Sequence, residues 1–133
     1  MKASPKIGDT AEIEFVVDTP HVIDFADDQM PAVLSTPNLI GFLERTARKA
    51  LTPVLAAGER SVGIHIDVRH LAATPPGQRV VCTARVIHVE GLTVSFQVEA
   101  RDEKELIARG LHKRRVIQAD RFAARLRRKQ NSK

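Results

Sequence analysis

Residues 35–77 decide the fold, and they read STPNLIGFLERTARKALTPVLAAGERSVGIHIDVRHLAATPPG. Their first half predicts a long amphipathic helix, because apolar residues recur at the three- and four-residue spacing of one helical face. Pro37 suits the first helical turn, where its missing N–H costs nothing, and Thr36 before it is the expected N-cap. A turn at Gly58 leads into a strand over residues 61–71. The apolar helical positions are Leu39, Ile40, Leu43, Ala47, Ala50, Leu51, Val54 and Leu55.

Three polar side chains interrupt the apolar faces of this helix and strand. Thr36 projects into the middle of the helical arc, and Glu44 projects near its edge. On the strand, the apolar alternation of Val62, Ile64, Ile66 and Val68 continues by one step to His70. Because an unpaired buried charge is costly, a carboxylate at such a position indicates a functional site or a protein–protein seam. We therefore expect Thr36, Glu44 and His70 to face one buried space.

The remaining segments predict an α+β fold. Residues 18–31 are rich in turn formers, and residues 120–129 suggest a short basic helix. A strand, a long helix and four more strands fit an antiparallel sheet of about five strands wrapped around one long central helix, in a single domain over residues 1–133. One helix cannot cover both faces of such a sheet, so we expect a homodimer joined edge to edge, with sites near the seam. The other strands are predicted at residues 10–17, 80–89, 92–100 and 106–117.

The composition, with 43% hydrophobic and 28% charged residues, is ordinary for a soluble globular protein. No apolar run approaches the roughly 18 residues of a membrane span, and no signal-peptide pattern opens the chain. Cys82 is the single cysteine, so no internal disulfide can form, and we expect a cytoplasmic protein without a membrane partner. As a nucleophile, Cys82 is disfavoured because it lies in an apolar strand pattern.

Positive charge is concentrated at the C-terminal end. Residues 109–133 carry ten Lys or Arg against one Asp, or +9, so the remainder of the chain carries 5 − 9 = −4. Without Trp, Tyr or a recognised motif, this cluster does not predict nucleic-acid binding, and it better suits the phosphates of a small anionic ligand. A metal site is not expected either, because His65 and Asp67 alternate onto the strand face opposite His70.

With these residues in view, the chain resembles the fluoroacetyl-CoA thioesterase family of hotdog-fold enzymes. The similarity runs from about residue 8 to residue 129. It is carried by the spacing of 44 − 36 = 8 residues from Thr36 to Glu44, by Gly63, and by the octet HLAATPPG at residues 70–77, which begins 70 − 44 = 26 residues after Glu44. Residues 15–17 carry it as well, and weaker support comes from residues 89–91 and from the run between residues 115–117 and 121–122.

The resemblance implies a hotdog-fold acyl-CoA thioesterase that needs no metal or other cofactor. Thr36, Glu44 and His70 match the family's catalytic residues, and Gly63 matches a glycine that lets the acyl group approach the backbone. Glu44 is then the acid/base or nucleophilic carboxylate, His70 polarises or positions the reactants, and Thr36 hydrogen-bonds the carboxylate or the thioester. The candidates for binding the CoA phosphates are Arg69, Arg79, Arg114 and Arg121.

One segment departs from the family pattern. Residues 18–35 are shorter than the lid of the member that handles fluoroacetyl-CoA, and Phe25 is their only aromatic residue. We therefore expect weak discrimination between fluoroacetyl and acetyl groups. Two alternatives stay open at this point: a hotdog enoyl-CoA hydratase, which also uses a carboxylate and a histidine, and a non-catalytic acyl-CoA-binding module.

Overall fold

A computed structural model describes residues 1–25 and 30–131. Its elements are β1 (Thr10–Val16), β2 (Val22–Phe25), β3 (Met30–Leu34), α1 (Thr36–Leu51), β4 (Glu59–His70), β5 (Arg79–Glu90), β6 (Thr93–Arg101), β7 (Leu106–Gln118) and α2 (Ala119–Asn131). Five antiparallel strands form one sheet in the order β1-β5-β6-β7-β4, and α1 packs across it, mainly against β5 and β1. The predicted five-stranded sheet with one central helix is confirmed.

The start of α1 differs from the prediction in one consequential way. Ser35, not Thr36, is the N-cap, because the Ser35 hydroxyl accepts a hydrogen bond from the Asn38 N–H at 3.3 Å. The Thr36 hydroxyl is therefore free for another partner. The buried face of α1 includes Leu39 and Leu43, both with no exposed surface. These side chains close the core between the helix and the sheet.

The end of α1 also lies earlier than predicted. The helix ends at Leu51, and a 3₁₀ turn over Thr52–Val54 follows it. Pro53 has no N–H to donate and its ring crowds the preceding turn, so the regular helical hydrogen bonding stops there. Val54 and Leu55 belong to the connection toward β4 and not to the helical face.

The predicted side-chain alternation of β4 is wrong in its first half. A bulge between Gly63 and His65 leaves Ile64 outside the pairing with β7. The extra residue shifts the alternation by one position, so that Ser61 is buried and Ile64 is 52% exposed. Gly63 and His70, which uninterrupted alternation puts on opposite faces, therefore share the face that bears α1.

The turn-rich segment before α1 contains regular structure that the sequence did not predict. A 3₁₀ turn at Thr19–His21 leads into β2, which pairs with β3 as a separate two-stranded sheet. Both strands are short and carry turn-type residues, so their signal is weak. Residues 26–29 of the expected lid, and the Phe25 side chain, lie outside the described part of the chain.

At the C-terminal end, α2 confirms the predicted basic helix and buries none of its side chains fully. Neither α1 nor α2, nor any other helical segment among the described residues, has the length and apolar character to cross a membrane.

Candidate active site

The first turn of α1 and the last residue of β4 meet at a hydroxyl and an imidazole. Thr36 Oγ1 lies 2.8 Å from His70 Nδ1. Both side chains line a pocket of about 340 Å³ with the end of β3 and the loop after β4. The other lining residues are Ile23, Val33, Leu34, Leu71, Ala72 and Ala73. A hydroxyl within hydrogen-bond reach of a base is the arrangement of an activated nucleophile.

His70 is held in a state suited to accept a proton. Burial lowers the pKa of His70 from its ordinary value of 6.5, and a contact with the Ala72 backbone opposes the shift only in part. Its Nε2 is buried and has no hydrogen-bond partner among the described residues. With the proton on Nε2, Nδ1 is free to accept the hydrogen bond from the Thr36 hydroxyl.

Glu44 does not join this pair within one chain. It lines a different pocket of about 270 Å³ together with Gly41, Arg45, Arg48 and Arg114. Eight residues of helix separate Glu44 from Thr36, which corresponds to roughly 12 Å along the axis. The structure therefore brings Thr36 and His70 into contact and places Glu44 farther along α1, because two residues more than two turns apart cannot meet at one point.

Gly63 lies next to Glu44 and Arg114, two of the residues that line the second pocket. A side chain at this position would put its Cβ 3.1 Å from His112 Cε1, 3.6 Å from Arg114 Nη1 and 3.7 Å from Glu44 Oε1. A carboxylate, a guanidinium and an imidazole thus pack closely around this position. Any side chain here would crowd them, whereas glycine lets these groups approach the backbone.

A buried polar network beside Gly63 was not predicted as a unit. Arg114 is 5% exposed; its Nε donates to Ser61 Oγ at 2.9 Å and its Nη2 donates to the Ser61 carbonyl at 2.9 Å. Arg114 Nη1 lies 3.2 Å from His112 Nε2, and His112 Nδ1 donates to the His65 carbonyl at 2.7 Å. The polar alternation of His112 and Arg114 on an otherwise apolar face of β7 was the available signal.

The histidine and the arginine of this network both have lowered pKa values. Burial is the largest cause that lowers the pKa of His112, and the hydrogen bond to His65 opposes it in part. Burial also lowers the pKa of Arg114, which the nearby Glu44 carboxylate counteracts. A neutral His112 can accept a hydrogen bond from Arg114, which fixes the guanidinium in place. The remaining N–H groups of the guanidinium can then donate toward the pocket that Glu44 lines.

The four arginines considered for CoA binding lie in different places. Arg114 is buried and faces Glu44, so it is not at the protein surface. Arg79 is exposed and pairs with Glu14 at 2.9 Å. Arg121 lines a pocket beneath α2, and Arg69 lines one on the outer face of β4 and β7.

Two other groups do not belong to the site. Cys82 is fully buried, and burial raises the pKa of its thiol to about 12, so it is not a thiolate nucleophile. In the part of the chain that is described, no cluster of three or more His, Cys, Asp or Glu side chains could hold a metal ion.

Comparison with known proteins identifies the family and the fold of the chain. The model of the family described as fluoroacetyl-CoA-specific thioesterase matches residues 17–120. A fluoroacetyl-CoA thioesterase of Streptantibioticus cattleyicolor is 36% identical over 137 aligned residues, which cover 97% of each chain. A solved structure of a fluoroacetyl-CoA thioesterase superposes with a TM-score of 0.87 at 33% identity, covering 98% of this chain and 100% of that one.

A second solved structure, a thioesterase superfamily member from Thermus thermophilus, has a TM-score of 0.87 at 31% identity and covers 96% of this chain and 94% of its own. Both neighbours share the antiparallel sheet and the central helix over nearly their whole length. The hotdog fold expected from the sequence is thereby confirmed, as is the class of thioester hydrolase. The chain belongs to the fluoroacetyl-CoA-specific thioesterase family.

Proposed function

We propose that the protein hydrolyses a short-chain acyl-CoA to the free acid and CoA, with Thr36 and His70 at the reacting carbonyl. The observation that carries this proposal is the 2.8 Å contact between Thr36 Oγ1 and His70 Nδ1. This pairing of a hydroxyl and a base suits acyl transfer, whereas adding water across a C=C bond needs no such nucleophile. The relative from Streptantibioticus cattleyicolor is a fluoroacetyl-CoA thioesterase, and fluoroacetyl-CoA is also a short acyl thioester.

The proposed reaction has two steps. Thr36 Oγ attacks the thioester carbonyl while its proton passes to His70 Nδ1, and the C–S bond then breaks as the CoA thiolate takes that proton. A water molecule next attacks the acyl-Thr36 ester, with His70 again accepting and returning a proton, and releases the acid. The positive end of the α1 dipole lies at Thr36, where it stabilises the oxyanion of each tetrahedral intermediate.

In a homodimer, Glu44 and Gly63 of one protomer would lie close to Thr36 and His70 of its partner. β4 is an edge strand of the sheet, and its Ile64 and Ile66 are 52% and 37% exposed. Long apolar edges are rarely left uncovered. Antiparallel pairing of two β4 strands about a point between Ile66 and Asp67 sets His70 of one protomer opposite Gly63 of its partner. The partner's Glu44, beside that Gly63, then completes the site as the acid/base or water-orienting carboxylate.

The composite site makes a prediction for mixed dimers. His70→Asn and Glu44→Gln proteins should each be nearly inactive, but unfolding and refolding them together should restore about a quarter of wild-type turnover, since half of the dimers are mixed and each has one intact site. Refolding each variant alone is the control. Light scattering that shows only a 14.7 kDa species, or mixtures that stay inactive, would contradict this arrangement.

The pH dependence follows from the lowered pKa of His70. Its neutral form accepts the proton, so kcat/KM should be flat at neutral pH and should fall as the pH drops through a value below 6.5. Because unfolded His70 binds a proton at higher pH than folded His70 does, its protonation also costs stability below about 6.5. A pH series of kcat/KM checks this, and an acid limb centred above pH 7 would argue against His70 as the base.

The preference for one acyl group over another is predicted from the lid segment. If residues 18–35 form a shorter lid with few aromatic side chains, fluoroacetyl-CoA and acetyl-CoA should have kcat/KM values within about tenfold of each other, because little binding energy separates two such small groups. Parallel kcat/KM measurements on the two substrates test this. A preference of several orders of magnitude for fluoroacetyl-CoA would overturn it.

A panel of short acyl-CoAs with a thiol reagent tests the function itself. Release of free CoA supports the proposal. Hydration of crotonyl-CoA without thiol release would identify a hydratase, and binding without turnover a binding module. A cytoplasmic location, in keeping with a single buried thiol, stays part of the proposal.

A further inference from the structure

The loop that follows His70 has a structural role that the proposed chemistry does not use. Of the octet at residues 70–77, His70 supplies a reacting side chain, and residues 71–73 line the same pocket. Thr74 has no exposed surface, and its Oγ1 donates to Asp102 Oδ2 at 2.9 Å. A fully buried hydroxyl bonded to a carboxylate 28 residues away is a specific, long-range connection.

Asp102 is itself fixed in place. Its Oδ1 accepts hydrogen bonds from the Lys104 N–H at 2.8 Å and the Glu105 N–H at 2.9 Å, so the carboxylate is built into the turn between β6 and β7. The neighbouring Glu103 accepts from the Arg79 N–H at 2.8 Å. The turn therefore holds the 74–79 segment at two points, and it does so with charge-assisted hydrogen bonds.

Thr74 also connects to the chain that leads into α1. Its carbonyl accepts from the Leu34 N–H at 2.9 Å, and Leu34 lies two residues before Thr36. On the other side, the Leu71 N–H donates to the Ile107 carbonyl at 2.7 Å directly after His70. One buried residue thus links the segment that carries the imidazole to the segment that carries the hydroxyl.

We propose that Thr74 and Asp102 are positioning residues that hold the Thr36 hydroxyl and the His70 imidazole in contact. Neither touches the substrate. Their side-chain hydrogen bond fixes the loop, and the Thr74 carbonyl fixes the entry to α1, so that the two reacting groups keep one separation. The kinetic consequence rests on the proposed function, because displacing a catalytic group by about 1 Å can cost roughly 10²-fold in rate.

The test compares Thr74→Val, which keeps the shape and removes the hydroxyl, with Thr74→Ser, which restores it. Thr83→Val is the matched control, since Thr83 lies in β5 at a distance from the site. Two quantities are measured: the NMR titration of the His70 imidazole, assigned with the His70→Asn protein, and kcat per folded molecule. We expect Thr74→Val to shift the His70 titration toward pH 6.5 and lower kcat about tenfold or more, and Thr74→Ser to reverse both.

The titration keeps the inference separate from the proposed function, because it needs no substrate. A shifted His70 titration in a protein without thioesterase activity would support the positioning role and remove only the kinetic claim. If Thr74→Val does not fold, Asp102→Ala removes the acceptor of the same hydrogen bond at a residue that is partly exposed. It should shift the His70 titration in the same direction. An unchanged His70 titration and unchanged kcat in a folded variant would overturn the inference, even if the melting temperature falls.

Discussion

Replacing His70 by Asn is expected to lower kcat by about 10²-fold or more, the usual contribution of a positioned acid/base group. Asparagine keeps a polar group near the Thr36 hydroxyl, but it cannot take up its proton. KM should change much less, because the imidazole acts on the reacting carbonyl and not on the CoA nucleotide. The fold should survive, since His70 is only partly buried and its Nε2 has no partner among the described residues to lose.

Thiol release and thermal melting on the same preparation measure the two effects. His88→Asn is the matched control, because the His88 side chain is 64% exposed on β5, and it should leave both quantities unchanged. If His70→Asn kept near-normal turnover, or lost activity only in proportion to unfolded protein, His70 would be a structural residue.

Replacing Gly110 by Ala is expected to produce the largest loss of stability. The new Cβ would overlap the Asp67 carbonyl oxygen and would lie 2.6 Å from Val68 Cα and 2.9 Å from the Asp67 carbonyl carbon. All of these are backbone atoms of β4, so no side-chain rotation can relieve the clash. We expect a loss of about 3 kcal/mol or more, the upper end for overpacking, or failure to fold.

Urea unfolding and soluble yield measure this loss. Gly41→Ala is the control, because the nearest atom to its new Cβ is Arg45 Nη2 at 3.7 Å, and alanine in a helix should stabilise by about 0.5–1 kcal/mol. A Gly110→Ala protein that unfolds like the wild type would mean that the β4 backbone at Asp67 and Val68 lies farther from Gly110 of β7 than these distances require. Since β4 carries His70, this spacing also matters for the site.

Much of the fold was predictable because it rests on periodicity. The central helix and the strands of the main sheet appear as regular apolar patterns, and the structure confirms them. The bulge at Ile64 could not be predicted, because it depends on how β4 pairs with β7 and leaves little trace in local alternation. The capping role of Ser35 was missed for a similar reason: two adjacent hydroxyl residues both satisfy the sequence pattern of an N-cap.

The candidate site was predictable in part. Thr36, Glu44 and His70 were expected to face one buried space. Thr36 and His70 do lie in contact, but Thr36 is exposed. The expectation that Glu44 meets them in one chain ignored the length of helix between Thr36 and Glu44. The hydrogen-bond network of Arg114 was not predicted. A buried arginine can be recognised only when its acceptors on a neighbouring strand are known, and here the acceptor is Ser61.

The most direct test of the account is the turnover of a short acyl-CoA by Thr36→Ala and Thr36→Ser proteins, measured as free thiol per folded molecule. Loss of the hydroxyl should lower kcat by about 10²-fold or more, whereas serine, which keeps it, should stay within about tenfold of the wild type. Because Ser35 and not Thr36 caps α1, neither change should lower the melting temperature greatly. Near-normal turnover by folded Thr36→Ala would contradict the central claim that the Thr36–His70 pair carries out thioester hydrolysis.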